Sequence, residues 1–479
     1  MPHRDTDLFQ YTSGRWLWDE EQQLRERFSP FNVPELQKIA AQSVGADTCT
    51  AITKLAEGSF NKTFRLQMDN GLSVIARIPH PIAGPKYYTT ASEVATMEFA
   101  RTILGIPTPQ VYAWNANVNN PVGSEYIIME EASGTKLDDI WEVISLEEKI
   151  EIMKDLVQLE KKMLQVPLNN YGSLYFASTN IKGATPVDIC ADVSSELKDK
   201  INRRFVIDPV AERHYWLKER AEMALDRGPW KQPQDYVLSL AHREEAWIQK
   251  YATPRPKDDA LYLKVAPYLL PDAPAVVAPY IWHTDLHAGN IFVQKGKISS
   301  VIDWQGLWAA PLILQARHAR LVDYDGEVIL KAPANFKDLE PAEKTRIRGI
   351  MILRFDHGRI RCEPILFVGD TWDDDIIPLR ESLIRLERSW NELGFNFPCP
   401  IHFTKDDLHI HAEESDGWND VQEFWDSVAH IVSRDGWTPH HLYDDAISLF
   451  TELRDIGLKA MVGKERDAFE KQTQWVKKH

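Results

Sequence analysis

The sequence predicts an α+β chain of two lobes, a small antiparallel-sheet lobe followed by a large helical one. Strand-like alternation is concentrated between Cys49 and Ile128, whereas apolar residues recur three and four apart after Gly134. The second half carries one clear β element, "NIFVQKGKISSVIDW", which directly follows "IWHTDLHAG". That placement sets two histidines, an aspartate and an asparagine beside a hairpin.

Residues 1–45 hold "WLWDEEQQLRERF" and "NVPELQKIAAQSV", two helical pieces joined by "SPFNVP", and form an N-terminal helical extension. Residues 46–131 form the sheet lobe. Here "CTAITKLAEGSF", "KTFRLQMDNGLSVIARIP" and "SEYIIME" are strands, "DNG" is a hairpin turn, and "TTASEVATMEFARTILG" is a helix with Thr90 or Ser92 placed to cap it. Residues 132–479 form the helical lobe with C-terminal helical additions. Its helices include "SLEEKIEIMKDLVQLEKKML", "LSLAHREEAWIQKYA", "PLRESLIRLERSWNELG" and "DDAISLFTELRDIGLKAMVG". The loops between them are rich in Asp, Pro and His, and His402, His409, His411, His440 and His441 fall there as surface histidines.

The chain has 479 residues, enough for two or three packed units or one enzyme-sized domain. Its 55 basic and 71 acidic side chains give a formal charge of −16, which repels phosphate backbones and anionic lipid and argues against nucleic acid and membrane as partners. No apolar run approaches the roughly 18 residues that span a bilayer. Cys49, Cys190, Cys362 and Cys399 form no C-x-x-C pair, so a reducing compartment fits best. The start carries Asp5, Asp7, Asp19, Glu20 and Glu21, unlike an acid-poor presequence, and cytoplasm is the expected location.

His283, Asp285 and Asn290 fit H-x-D-x-x-x-x-N, and Asp303 follows the hairpin in "SSVIDWQG". In phosphoryl transfer the loop Asp accepts the proton of the attacking hydroxyl. The Asn five residues later and an Asp beyond the hairpin ligate magnesium. Hard oxygen ligands suit Mg²⁺, and the chemistry is mostly positioning and charge neutralisation. Asp285 is therefore the expected base, with His283 bracing the loop through backbone or Asp303 hydrogen bonds and His287 acting similarly. A transition-metal site of His283, Asp285 and His287 is the alternative, but it leaves Asn290 and Asp303 without a role.

"HTDLHAGNIFV" followed by "VIDWQG" resembles the aminoglycoside phosphotransferase and choline kinase family, the small-molecule branch of the protein-kinase-like fold. "LAEGSFNKTFRL" is similar to its phosphate loop, "SVIARIP" to its third strand, "SEVATMEFARTILGIPTPQVY" to its helix and next strand, and "YIIMEEASG" to its hinge. "GRWLWDE" and "GSEYIIMEEASG" further resemble the fungal phosphotransferase group that includes the altered-inheritance-of-mitochondria protein nine, whose members are commonly mitochondrial. The resemblance implies a two-lobed protein-kinase-like fold, ATP and Mg²⁺ as cofactors, and a small-molecule hydroxyl substrate. It places Gly58, Ser59 and Asn61 over the phosphates, pairs Glu93 with the third-strand cation, sets the backbone of Glu130 and Ala132 against adenine, and makes Asn290 and Asp303 the metal ligands.

The family usually has Lys at the third-strand position, where this chain has Arg77. Arg keeps the charge but presents a planar fork in place of a compact ammonium. The two expectations are thus a small-molecule kinase and, as the alternative, a nucleotide-binding pseudokinase or scaffold without turnover. "IDWQG" runs quickly into "LWAAPL" with no long activation segment, which argues against protein substrates. Substrate identity and oligomeric state do not follow from the sequence.

Overall fold

A computed structural model describes residues 6–179, 181–189, 193–252, 258–316, 321, 340–341, 358–369 and 376–478. Cys190, and most of residues 317–357 where an activation segment would fall, lie outside them. The chain forms two compact units: Met1–Lys86 with Tyr112–Met129 and Glu413–His479, and Tyr87–Val111 with Glu130–Ala412. The boundaries drawn from sequence run differently, leaving the helix after Tyr87 with the sheet and residues 413–479 with the helical lobe.

In the first unit, helices α1 (Glu20–Arg27) and α2 (Val33–Ser43) precede strands β1 (Cys49–Glu57), β2 (Asn61–Met68), β3 (Ser73–Pro79), β4 (Val111–Asn115) and β5 (Tyr126–Glu130). The five strands form one sheet in the order β1-β2-β3-β5-β4. β1, β2 and β3 pair antiparallel. Asn32 caps α2 by accepting the Glu35 N–H at 3.2 Å, and Pro34 sits in its first turn, where no amide partner is lost. The buried stripe Val33, Leu36, Ala40 and Ala41 packs on Phe64, Leu66, Val74, Ala76 and Ile78. Strand alternation sends Thr63 and its register partner Arg77 to the opposite face.

The ends of the chain close this unit. Arg15–Trp16 pairs antiparallel with Trp437–Thr438, and Leu17 packs with Val428, Val432 and Ala446. Gly14 makes this pairing possible, because a Cβ there would stand 2.5 Å from the Trp437 indole nitrogen and 2.6 Å from the Thr438 carbonyl oxygen.

In the second unit, α3 (Tyr88–Thr102) starts from Tyr87 at φ 71° with no side-chain cap. Thr90 and Ser92 are not its caps: they lie inside the helix and are buried, small residues that let it pack closely. α4 (Leu146–Met163) opens with a reciprocal capping box between Ser145 and Glu148. α5 (Pro233–Tyr251) and α6 (Asp258–Leu269) share a core through Val237, Tyr262 and Val265. Strands β6 (Ile291–Gln294) and β7 (Lys297–Val301) form the hairpin. Lys295 and Gly296 both have positive φ, the requirement of a two-residue turn whose twist matches its strands. α7 (Gly358–Val368) and α8 (Ile376–Ser389) join the core of α5 and α6.

His409 and His411 are not in a loop: α9 (Lys405–Val428) carries them. Its polar length hides the apolar period, but Thr404 and Asp407 cap it reciprocally at 2.8 and 3.2 Å through an S/T-x-x-D/E pattern present in the sequence.

Gly14→Ala is expected to cost about 1–3 kcal/mol, because the rigid carbonyl of Thr438 cannot yield to the added methyl. Urea unfolding should show a lower midpoint at unchanged slope; a variant matching wild type would remove this role for Gly14.

Candidate active site

The H-x-D-x-x-x-x-N stretch occupies the loop between the strand Pro279–Ile281 and β6. His283 is 2% exposed, its Nε2 lies 3.0 Å from the Ile302 carbonyl oxygen, and its ring meets Trp304 edge-on at 4.9 Å. Burial pushes the imidazole below its usual range, so it is neutral and Nε2–H donates to that carbonyl. His283 thus ties the start of the loop to the residue before Asp303. Thr284 and Asp285 are exposed.

The Asn290 amide donates to Asp285 twice, to the backbone oxygen at 3.0 Å and to Oδ2 at 3.3 Å. Both contacts use Nδ2, which leaves Oδ1 as the outward ligand atom. Ile302 N–H donates to the Asn290 carbonyl at 3.0 Å, continuing the hairpin ladder and bringing the chain before Asp303 beside Asn290. Asp303 sits at φ 65°, a left-handed conformation that costs a non-glycine residue about 1–2 kcal/mol. His287 Nδ1 accepts the Gly289 N–H at 3.0 Å, which turns its Nε2 toward Asp285 Oδ2, 3.6 Å away. A carboxylate, an amide oxygen and a second carboxylate on one loop and hairpin are hard donors that fit magnesium.

A groove of about 870 Å³ runs beside Ala288, walled by Trp141, Leu146, Ile150, Met153 and Val157. Its carboxylates Asp138 and Glu142 are matched by Lys149 and Lys154. Just after Gly134 the chain joins β6 from the same unit: Thr135 and Lys136 pair with Val293 and Phe292. Glu130 N–H already donates to the Gln110 carbonyl at 2.8 Å, which leaves Glu130 only its carbonyl for a ligand. Glu98 pairs with Arg204, whereas Glu93 is 3% exposed on α3.

The first unit holds the other residues singled out in the sequence. Gly58 and Ser59 form the exposed turn between β1 and β2, closed by Gly58 N–H to the Asn61 carbonyl at 3.0 Å. Arg77 is buried in β3 at 7% exposure.

At the foot of that turn lies a polar cluster that motif reading passes over. Lys62 is fully buried, with Nζ donating to the Arg27 carbonyl at 2.7 Å and lying 3.2 Å from both Glu57 Oε1 and His80 Nδ1. Glu57 Oε2 accepts from Thr12 N at 2.6 Å and Lys54 Nζ at 2.9 Å. Burial alone would raise the Glu57 carboxyl, but these donors outweigh it and hold it low. Burial pushes Lys62 down to about 8 despite Glu57, and His80 down to about 4, with the Lys62 charge acting the same way on His80. The signal was in the sequence: Lys62 is in phase with the apolar Phe64 and Leu66, so alternation alone sends it inward.

A small antiparallel sheet, a helical unit and an H-x-D-x-x-x-x-N loop leading into a hairpin are the parts of kinase-like phosphotransferases. The phosphotransferase enzyme family, APH, matches residues 51–313, more than half of the chain, and the chain belongs to that family. A subtelomeric hrmA-associated cluster protein of Aspergillus fumigatus is 31% identical, over 85% of this chain and 93% of that protein. The Saccharomyces cerevisiae protein named altered inheritance of mitochondria protein 9, mitochondrial, is 23% identical over 93% of this chain and 88% of its own. Among solved structures, a thermostable mutant of the aminoglycoside phosphotransferase APH(4)-Ia in ternary complex with ADP and hygromycin B aligns with a TM-score of 0.36 and 12% identity, over 76% of this chain and 100% of that one.

The neutral, buried His80 makes stability depend on pH. The unfolded chain takes up a proton below the usual 6.5 and the folded chain only near 4, so stability falls as pH drops through that window and the contribution is level below it. The loss attributable to this ring is about 3 kcal/mol. Urea unfolding of wild type and His80→Asn between pH 6.5 and 4 should show their difference shrinking as pH falls; parallel curves would refute the assignment.

Proposed function

We propose that the chain transfers the γ-phosphate of ATP to a hydroxyl of a small molecule, using Mg²⁺. Asp285 accepts the hydroxyl proton, and Asn290 Oδ1 and the Asp303 carboxylate hold the metal. Bound magnesium would neutralise charge on the bridging phosphate oxygens. Gly58, Ser59 and Asn61 lie over the phosphates, Arg77 supplies positive charge and pairs with Glu93, and adenine meets the Glu130 carbonyl and the Ala132 N–H. His283 braces the loop and does not touch substrate.

The observation that carries this reading is the double donation of Asn290 Nδ2 to Asp285, which spends the amide nitrogen on the base and leaves the oxygen for a metal. The groove beside Ala288 has the volume of a small-molecule site, and its balanced charges favour an acceptor with an apolar skeleton. A second reading, a nucleotide-binding pseudokinase or scaffold, is favoured by Arg77 at the lysine position. The yeast relative's name places that protein in mitochondria; for this chain we propose cytoplasm, with mitochondria as the alternative, and imaging of the tagged full chain decides between them.

Mg²⁺-dependent ATP consumption over a panel of hydroxyl compounds tests the catalytic reading. Asp285→Asn should lower turnover about 10²–10⁴-fold with Mg-ATP affinity retained, the effect of removing a general base. Asp303→Asn should raise the Mg²⁺ concentration needed. Mg-ATP binding with no turnover of any compound, in wild type and in Arg77→Lys alike, would establish the pseudokinase.

A further inference from the structure

A cavity of about 560 Å³ in the first unit shares only the Gly58–Ser59 turn with the chemistry above. Its floor is the outer side of the Gly58–Ser59 turn. Its walls come from the ends of the chain: Tyr11, Trp16 and Arg27 from the N-terminal extension, and Asp435 and Trp437 from the C-terminal segment. All five lie outside residues 51–313, whereas Glu57, Gly58 and Ser59 lie inside them, so the cavity forms where the matched span meets the segments that flank it.

Arg27 gives the cavity its chemistry. The residue is 7% exposed, and its Nε is buried with no hydrogen-bond partner among the described residues. One guanidinium nitrogen is held by Gln23, and the group stacks 4.4 Å over the Trp16 ring. Among the described residues no carboxylate pairs with it. The two carboxylates of the lining are already occupied. Asp435 accepts from Trp16 Nε1 at 3.2 Å, Ser433 Oγ at 2.5 Å and Trp437 N at 3.2 Å, and Glu57 is paired with Lys54 and Lys62. Asp435 and Glu26 act on the guanidinium charge without a direct ion pair, and burial still pushes Arg27 down, so its buried Nε is left without an acceptor. Desolvating a guanidinium without an acceptor is costly, and an oxyanion is the group that relieves it. Trp437, the partly exposed indole of the lining, adds a flat surface at low entropic cost.

We propose that this cavity is a binding site for a flat organic anion, a carboxylate or phosphate carried on a ring, held by Arg27 beside the mutually packed Trp16, Tyr11 and Trp437. Because its floor is the Gly58–Ser59 turn, an occupant changes the affinity for nucleotide. That coupling rests on the role proposed for the turn, whereas binding itself does not.

The test is calorimetric titration of the full chain with phenyl phosphate, phenylacetate and inorganic phosphate. At least one ring-bearing anion should bind more tightly than inorganic phosphate, and Arg27→Gln should weaken it about 10- to 100-fold, the worth of one charge-assisted pair. Ser13→Phe, a change at an exposed position on the cavity wall, should block binding, and it decides the matter where Arg27→Gln does not fold. Arg77→Ala should leave binding intact. Absence of binding by all three probes, or binding that survives Arg27→Gln and Ser13→Phe but is lost in Arg77→Ala, would overturn the proposal; phenyl phosphate that binds without altering Mg-ATP affinity would remove the coupling alone.

Discussion

The ion pair of Lys62 with Glu57 is the contact around which the first unit is organised. Both side chains are essentially withdrawn from water, and a buried pair recovers its desolvation cost only when its remaining valences are filled. Here they are filled by parts of the chain far apart in sequence. Lys62 reaches the Arg27 carbonyl at the end of α1, and Glu57 collects Thr12 and Lys54. Such a pair adds little net stability over an apolar substitute, yet removing one partner strands a buried charge at a cost of about 3–5 kcal/mol. Its consequence is that the Arg27 carbonyl and the Thr12 N–H tie the N-terminal extension to the β1–β2 turn.

Among the described residues, the second unit holds four non-glycine residues at positive φ, Tyr87, Lys218, Lys295 and Asp303. Asp303 is a non-glycine residue in a left-handed conformation, one step beyond a regular hairpin ladder. Two bonds to Ile302 hold it there, one from the Ile302 N–H to the Asn290 carbonyl and one from His283 to the Ile302 carbonyl. The strained residue and the loop residues are therefore set by one peptide unit, and neither can shift without the other. Strain kept at this position, while the hairpin turn itself is satisfied by Lys295–Gly296, is the pattern of a residue held for its side chain.

How much of this was legible in the sequence follows from the range of each interaction. Strands β1 to β3, their "DNG" turn and helix α4 are local patterns, and they read directly. The loop from His283 to Asp303 was legible because its residues span only a short stretch closed by a hairpin. The pairing of Arg15–Trp16 with Trp437–Thr438 was not, because two-residue strands carry no periodic signal and their partners stand more than 400 residues apart. α9 was hidden for another reason: its face is mostly charged, so only the Thr404–Asp407 cap marks its start. Lys62 was legible and overlooked, since alternation places it inside while phosphate-loop reasoning draws attention to Gly58, Ser59 and Asn61.

The same division by range explains where this chain departs from its family. The matched span, residues 51–313, contains nearly all of the sheet, the loop and the hairpin; the loop and hairpin rest on contacts within it, whereas the sheet also packs on α2 before it. Residues before that span and segments of 413–479 meet in the first unit and line the cavity at the turn between β1 and β2. Arg27 illustrates the result: its carbonyl completes the Lys62 cluster, while its guanidinium is turned to Trp16 and lines the adjoining cavity. A residue fixed at its backbone by one network and left with an open valence at its side chain is poised to report on whatever fills that space. The terminal additions thereby make the geometry of the Gly58–Ser59 turn depend on residues that the family's common part does not contain.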